Sequence, residues 1–460
     1  MVKASVRRLV IDVGPLKAEA SFRRLWIGGA LSSVGSRMTT FAVVLQVYQL
    51  TGSSAAVGAV GLATLVPTLV VGLIGGSLAD ALDRRKLVLV TGSSMAGVSL
   101  LFAVQAFAGN AQVWPLYLLV TVQSLLFAVD LPARRTFVPR LLSKEQLPAG
   151  LTLQMLVFHM SVMVGPSLGG VLAAAGGVKV CYVIDALSFF VALYGVVRLP
   201  AMPAQAQTRP GVKSIYEGLR YVGRNRIVAG AMLSDLSATV LAMPFAILPA
   251  LNTLDFGGSP STLGLLTAAP AVGGVLAMSL SGPVGRATRK GVWLLGAGAV
   301  WGVALACLGL TGQLWLALGL LAAAGAADAT AVVLRGSIVQ SSIPEEFRGR
   351  TTSVDFVVGA GGPHLGNFRG GVVASAATPS VSALTGGLSC VVAIGLVALC
   401  FPALRRFDSA ADGPPAPEPG PPERGGSGES LAADDRKTTS GRSADRTGER
   451  PEPLGGGAHP

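Results

Sequence analysis

The sequence predicts an all-α integral membrane protein with twelve transmembrane helices in two pseudo-symmetric six-helix bundles. Three observations lead to this fold class. The chain is 51% hydrophobic and only 13% charged, whereas about a quarter of the residues of a soluble protein are charged. Apolar runs long enough to cross a bilayer follow one another along the chain. Lysines and arginines cluster in every second gap between those runs, as expected for membrane topology.

The predicted spans, numbered 1 to 12 in chain order, are 25–49, 55–79, 87–109, 113–131, 151–174, 180–198, 227–251, 260–282, 291–311, 314–335, 352–375 and 380–403. The termini and the gaps on their side hold 33 of the 36 lysines and arginines. The opposite gaps hold only Lys179, and Arg37 and Arg369 fall inside spans. Cytoplasmic loops carry the excess of basic residues, so we expect a cell-membrane protein with both termini in the cytoplasm.

The domain boundaries follow from the spans. We expect an N-terminal half at 1–198, a cytoplasmic linker at 199–226, a C-terminal half at 227–404 and a tail at 405–460. The linker carries apolar residues at 212, 215, 219 and 222, one face of an interfacial amphipathic helix. The tail is rich in Pro, Gly, Ser and charge, which predicts disorder.

An internal repeat supports two related halves. Gly165-Pro166-Ser167-Leu168-Gly169 in span 5 recurs in span 11 as Gly362-Pro363-His364-Leu365-Gly366. Asp130 in span 4 is matched in the same way by Asp328 in span 10. Parallel six-helix halves related by an axis along the membrane normal produce such repeats. Because proline removes a backbone hydrogen bond, Gly165, Pro166, Gly169, Gly362, Pro363 and Gly366 are candidate hinge residues, with a static kink as the alternative.

The segment between spans 2 and 3 reads Gly-x-Leu-Ala-Asp-x-x-x-Arg-Arg. Gly76 allows close helix approach, Asp80 suits a helix N-terminus, and Arg84 and Arg85 can form breakable charge pairs. We expect a cytoplasmic gate here; the alternative is an ordinary positive loop.

Three further acids are assigned to this gate. Asp130 is expected to pair with Arg84 or Arg85, and Asp328 with Arg286 or Arg289. Asp355 begins span 11, where a structural cap is the alternative.

Ionisable groups deeper in the bilayer are costly and are therefore candidates for substrate binding or proton coupling. They are Arg37, His159, Asp185, Asp235, His364, Asn367 and Arg369. Arg37 and Asp235 are the main cavity candidates, and pairing between them across the halves is the alternative. His159 suits packing as well as proton transfer, and Asp185 suits a bond to a neighbouring hydroxyl or backbone group.

These motifs resemble those of the major facilitator superfamily over residues 20–405. Gly165-Pro166-x-x-Gly169-Gly170 is similar to the antiporter signature, and Ile343-Pro344-Glu345-Glu346-Phe347-Arg348-Gly349-Arg350 resembles the drug:proton antiporter branch that contains enterobactin-exporter-like proteins. The resemblance implies export of a siderophore or drug-like metabolite in exchange for protons. The departures are Ala81, Ser161 and a span 4 without arginine, and they leave the coupling ion open.

Other function classes are excluded. The net charge of +12 is dispersed between membrane spans, so no nucleic-acid partner is expected. The four cysteines have no metal-ligand spacing, and no phosphate-binding loop or nucleophile motif occurs, so we expect neither enzyme, metal nor cofactor. We expect a monomer that acts on a small molecule, uses protons and contacts the bilayer. The alternatives are a polyspecific drug or antibiotic exporter and a non-transporting membrane sensor.

Overall fold

The computed structural model describes residues 12–81, 83–200, 219–279, 288–343 and 345–407, with side chains for all of these except 72–81, 345–350, 352, 353 and 356. Within these ranges the chain is almost entirely helical and contains no β-strand. The gate residues Gly76, Asp80 and Arg286 therefore have no described side chains. Most of the predicted linker and tail also lies outside the described residues.

The helices are labelled α1 to α16 in chain order. Their bounds are α1 Gly14–Ala18, α2 Ala20–Thr51, α3 Ser54–Ala81, α4 Arg84–Phe107, α5 Trp114–Arg135, α6 Phe137–Leu141, α7 Leu147–Gly176, α8 Val178–Val197, α9 Arg226–Leu241, α10 Leu248–Asp255, α11 Pro260–Ser279, α12 Lys290–Leu308, α13 Leu314–Ser342, α14 Glu345–Ala376, α15 Pro379–Cys400 and α16 Pro402–Arg406.

Nine helices in the described part of the chain are long and apolar enough to cross a membrane. They are α3, α4, α5, α7, α8, α11, α12, α13 and α15. The all-helical membrane fold is thus confirmed. Twelve crossings would also require α2, α14 and the pair α9–α10, so that count stays a prediction.

Several predicted spans ended too early or began too late. Helix α5 continues to Arg135 and α13 to Ser342, and α14 already begins at Glu345. The predicted spans stopped where charged residues begin, but a helix continues past that point when its cations pair or extend toward water. The statement that the fourth long helix lacks arginine was wrong, because α5 includes Arg134 and Arg135.

Span 7 is two helices rather than one. Helix α9 ends at Leu241 and α10 begins at Leu248. Pro244 lies between them and has a fixed φ and no N–H to donate, which accounts for the break.

Two seams join the helices before residue 200 to those after residue 219. Helix α3 packs against α14, and α7 packs against α11. The remaining main contacts lie within each set: α2 with α7 and α8, α4 with α8, α9 with α14 and α15, and α13 with α11 and α12.

Both seams are tight at the end of the molecule that carries the short connections 52–53, 177, 256–259 and 377–378, here called the short-loop face. Ser375 of α14 accepts a hydrogen bond from the N–H of Ala55 at 2.9 Å, and so caps the start of α3. In the other seam, a Cβ on Gly170 would lie only 3.0 Å from the Cα of Gly264. Only glycine permits this approach, so the seams meet backbone to backbone at this face. The opposite end, where most described basic residues lie, is called the basic face.

Candidate substrate and coupling site

Arg37 lies near the middle of α2 and faces α7. Its guanidinium carbon is 5.6 Å from the centre of the Phe158 ring. Gly165 leaves the space in which the Arg37 side chain packs. Phe158 is half exposed and contacts His159 edge to face, with ring centres 5.5 Å apart. Arg37 therefore combines a cation with an aromatic face, an arrangement that suits an anionic or aromatic ligand.

Among the described residues, Arg37 forms no ion pair and no hydrogen bond. The alternative pairing of Arg37 with Asp235 is not formed, since the ion-pair partner of Asp235 is Arg335. Arg37 lies in the middle of a helix that packs against the membrane-spanning helices α7 and α8, where a cation with no counter-charge is costly, so it is a strong candidate for contact with an anionic substrate.

A cluster of three carboxylates and one arginine joins α9, α13 and α14. Arg335 Nε lies 3.6 Å from Asp235 Oδ1, and Arg335 also donates a hydrogen bond to Asp355. Asp328 lies two helical turns before Arg335 on the same face of α13. The buried Asp235 Oδ2 has no hydrogen-bond partner in the described part of the chain. We call Asp235, Asp328, Asp355 and Arg335 the acidic cluster.

The acidic cluster bears on two predicted assignments. Asp328 shares a face of α13 with Arg335, and Arg289 is exposed and forms no ion pair in the described part of the chain; the predicted pair with Arg286 lies outside the described residues and stays a prediction. Asp355 is in the third turn of α14, not at its start, so it does not cap that helix.

Asn367 and Arg369 of α14 bind the break between α9 and α10. Arg369 donates a hydrogen bond to the carbonyl of Leu241, the last residue of α9. Asn367 Oδ1 accepts from the N–H of Ala246 at 3.2 Å. Backbone groups released by a helix break inside a membrane need such partners. These two side chains therefore stabilise a broken helix.

Asp185 of α8 is completely buried and is held by hydroxyl groups. Its Oδ2 accepts from Thr39 of α2 and Ser99 of α4, each at 2.8 Å, and its Oδ1 accepts from Ser36 at 3.4 Å. Of its two predicted roles, the structure supports the bond to neighbouring hydroxyls. Asp185 connects α8 to α2 and α4.

Near the basic face, Asp130 of α5 is 1% exposed and pairs with Arg134, one turn further along the same helix. Thr91 donates a second hydrogen bond to Asp130 at 2.6 Å. Arg85 instead donates to the carbonyl of Val197 at 2.6 Å. Asp130 is thus not paired with Arg85, and its predicted pairing with Arg84 stays a prediction. The first turn of α4 is capped by Asp83, and the side chain of Asp80, for which a helix N-terminus was expected, lies outside the described side chains.

The remaining candidates lie in helix contacts. Helices α7 and α14 run through Pro166 and Pro363 without interruption. Gly169 packs against Phe41 of α2, and Gly362 and Gly366 pack against Thr239 of α9. The backbone of His364 lies against Gly61 in the seam between α3 and α14.

Sequence reasoning missed Arg335, Arg134 and Phe158 as site residues. The first two carried a signal in their spacing. Arg134 follows Asp130 by four residues and Arg335 follows Asp328 by seven, so each lies on the same helix face as its acid. Phe158 had no comparable signal, because its partner Arg37 is on another helix.

A family model described as transmembrane secretion effector matches residues 12–424. The chain belongs to this family. It is a family of major facilitator transporters, so the chain is a small-molecule exporter and not an enzyme. The enterobactin exporter EntS of Citrobacter koseri is 26% identical over 414 residues, which cover 90% of this chain and 98% of that protein.

Solved structures agree in fold. The nucleoside transporter NupG superposes with a TM-score of 0.65 at 14% identity, covering 84% of this chain and all of that chain (100%). A bacterial homologue of the human lysosomal transporter Spinster, in an inward-facing state, superposes with a TM-score of 0.64 at 16% identity. The match covers 88% of this chain and 100% of that chain. The predicted major facilitator fold is thereby confirmed.

Proposed function

We propose that the protein exports an anionic, siderophore-like small molecule across the cell membrane in exchange for protons, by alternating access between the halves 1–198 and 227–404. In this proposal the basic face is cytoplasmic and the functional unit is a monomer. The observation that carries the proposal is Arg37, a cation at membrane depth with an aromatic neighbour and no acidic partner among the described residues. The likeness to enterobactin exporters supports the siderophore class.

The charges in the interior favour an anionic substrate over a cationic one. Asp235 and Asp355 contact Arg335, and Asp185 is sealed among hydroxyls, so these three acids are less available to a cationic drug, which would have to bind at the exposed Asp328. Arg369 is engaged by the carbonyl of Leu241. Arg37 has neither an acid nor a hydrogen-bond partner among the described residues and so offers the counter-charge for a ligand that enters the interior.

The tight seams at the short-loop face support a state that is open toward the basic face. Residues Gly58 and Gly61 of α3 approach the backbone of α14, and Gly170 approaches Gly264. Opening the other side requires these seams to part while the basic face closes. We propose that the pair Asp130–Arg134, the residues Arg84 and Arg85, and the Gly-Pro steps of α7 and α14 take part in that closure; Gly76, Asp80, Arg286 and Arg289 remain proposed gate residues.

Transport by purified protein in liposomes tests the proposal. An imposed proton gradient should drive uptake of a catecholate or hydroxamate siderophore into inside-out vesicles, and Arg37→Gln should raise KM about tenfold or more, because a charge-assisted contact is lost. Arg37→Lys should retain part of the affinity. Arg406→Gln, on the exposed face of α16, is the matched control and should transport normally.

The alternatives give different results. Uptake of cationic dyes but not of anions would contradict the proposed substrate class. Binding of ligands without any transport would indicate a sensor, and would also contradict the proposal.

A further inference from the structure

We infer that Asp235 and Asp328 share and exchange the coupling proton, and that Arg335 is the residue that positions Asp235 for this exchange. The inference rests on the proposed proton-driven export and assigns its proton site. It combines residues from α9 and α13 that sequence reasoning had divided between a cavity and a gate.

The charge balance of the acidic cluster is the first argument. Three carboxylates and one guanidinium have a net charge of 1 − 3 = −2 when all are ionised. Such a charge is costly in the interior of a membrane protein. Bound protons reduce it, and Arg335 can compensate only one carboxylate in full.

The contacts of Asp235 are the second argument. The side chains of Asp235 and Arg335 are only 9% and 10% exposed, and their closest atoms are 3.6 Å apart, longer than a good hydrogen bond. Asp235 Oδ2 is buried and has no hydrogen-bond donor among the described side chains. An ionised carboxylate in this position lacks partners on one oxygen, whereas a protonated Oδ2 carries no charge there.

The exposure of the other acids is the third argument. Asp328 is exposed although it lies in the middle of α13, and the side chain of Asp355 is 40% exposed. Asp328 lies seven residues before Arg335 on the same face of α13, and Arg335 contacts Asp235 of α9 and Asp355 of α14, so the exposed side of Asp328 faces these helices rather than lipid. Water in that space can deliver a proton to Asp328 and hence to Asp235.

The proton transfer is balanced at each step. A hydronium ion gives its proton to a carboxylate oxygen of Asp328, an O–H bond forms, and water is left. The proton then passes to Asp235 Oδ2, and Asp328 is ionised again. Release to water on the other side of the membrane reverses this sequence. Like charges on neighbouring carboxylates favour one shared proton over two ionised groups.

Other charged groups around the cluster do not replace Arg335. On α12, Lys290 is bound to Ser337 at 2.7 Å, and on α16, Arg405 and Arg406 are exposed. Helices α11 and α15 carry no charged residue, and His364 of α14 is more than two turns from Asp355. Arg226 is at the first residue of α9, more than two turns from Asp235. Within the described side chains, Arg335 is therefore the cation that sets the charge state of these acids.

Infrared difference spectroscopy of the full chain in detergent tests the inference without any transport. A pH change should produce the C=O stretching band of a protonated carboxyl group. Asp235→Asn and Asp328→Asn should each remove this band and about one titrating proton per chain. Asp255→Asn, an exposed acid at the end of α10, should leave both unchanged. A band that persists in both cluster variants would overturn the inference.

Arg335→Lys and Arg335→Met separate positioning from folding. Removal of the cation in Arg335→Met should move the band's titration midpoint to higher pH by about one unit or more, while Arg335→Lys should stay close to wild type. An unchanged midpoint in folded Arg335→Met protein would also overturn the inference. If the band behaves as expected but no anion is transported, the proton site stands and the proposed function fails. If anions are transported but the band does not change in the Asp235, Asp328 and Arg335 variants, the proposed function stands and the proton site fails.

Discussion

Asp130 and Asp328 occupy matching positions in α5 and α13 but have different surroundings. Asp130 is neutralised by Arg134 one turn away and by the hydroxyl of Thr91. The position that matches Arg134 in α13 is Val332, so Asp328 depends on Arg335, which also contacts two other acids. The same repeat thus holds a satisfied acid in one half and an under-compensated acid in the other.

The comparison extends to the whole interior. The helices before residue 200 offer Arg37, which has no ion-pair partner among the described residues, and the helices after residue 219 offer the acidic cluster. A repeated architecture with opposite charge in its two parts can handle an anion and a proton in separate places. We expect coupling between them to come from movement of the two parts, since no contact joins Arg37 to the cluster among the described residues.

The largest expected effect comes from breaking the satisfied pair. Arg134→Val leaves the buried Asp130 without its cation, which should lower the free energy of unfolding by about 3–5 kcal/mol. Thermal unfolding in detergent would measure this. Arg135→Val, at the exposed neighbouring position, is the control. An equal loss of unfolding free energy in both variants would show that the pair of Asp130 with Arg134 does not stabilise the fold more than an exposed arginine does.

Removing the support of the helix break should have the next largest effect. Arg369→Met leaves the carbonyl of Leu241 unpaired, at a cost of about 1–3 kcal/mol. Protease accessibility of the segment 242–247 should increase with the loss of stability. If this variant loses substrate affinity but keeps normal stability, Arg369 binds substrate after all.

Making the two acids alike sharpens the comparison directly. Val332→Arg gives Asp328 an arginine at the spacing that Asp130 has. We expect the pH midpoint of proton uptake to fall by about one unit, because the added cation favours the ionised carboxylate, and we expect weaker gradient-driven transport. Val333→Arg, one residue further along, has different helical spacing and is the matched control; equal effects of both would count against the comparison.

The smallest expected effect is at Asp185. Asp185→Asn keeps the shape of the side chain and can still bond to the hydroxyls of Thr39 and Ser99, so stability should change by less than about 1 kcal/mol. Asp185→Leu should lower the stability more than Asp185→Asn does, because leucine cannot accept hydrogen bonds from these hydroxyls. A complete loss of proton coupling in folded Asp185→Asn protein would make Asp185 part of the coupling site.

Composition and hydropathy were enough to predict the membrane fold and to select the polar residues of the interior. They did not give the helix ends, because a hydropathy run stops at a charged residue while the helix continues through Arg134 and Arg335. They also hid the break at Pro244, since an apolar run with a proline looks continuous. The partners of Asn367 and Arg369 lie more than a hundred residues away in the chain, so only the folded structure brings them together.

The central claim is that anion binding at Arg37 and proton binding at the acidic cluster are separate. Substrate counterflow in liposomes, compared with gradient-driven uptake, tests it most directly. We predict that Asp328→Asn retains counterflow of a labelled anionic substrate but loses uphill uptake, while Arg37→Gln loses both. Uphill uptake by Asp328→Asn at the wild-type rate, or loss of counterflow equal to that of Arg37→Gln, would contradict the account.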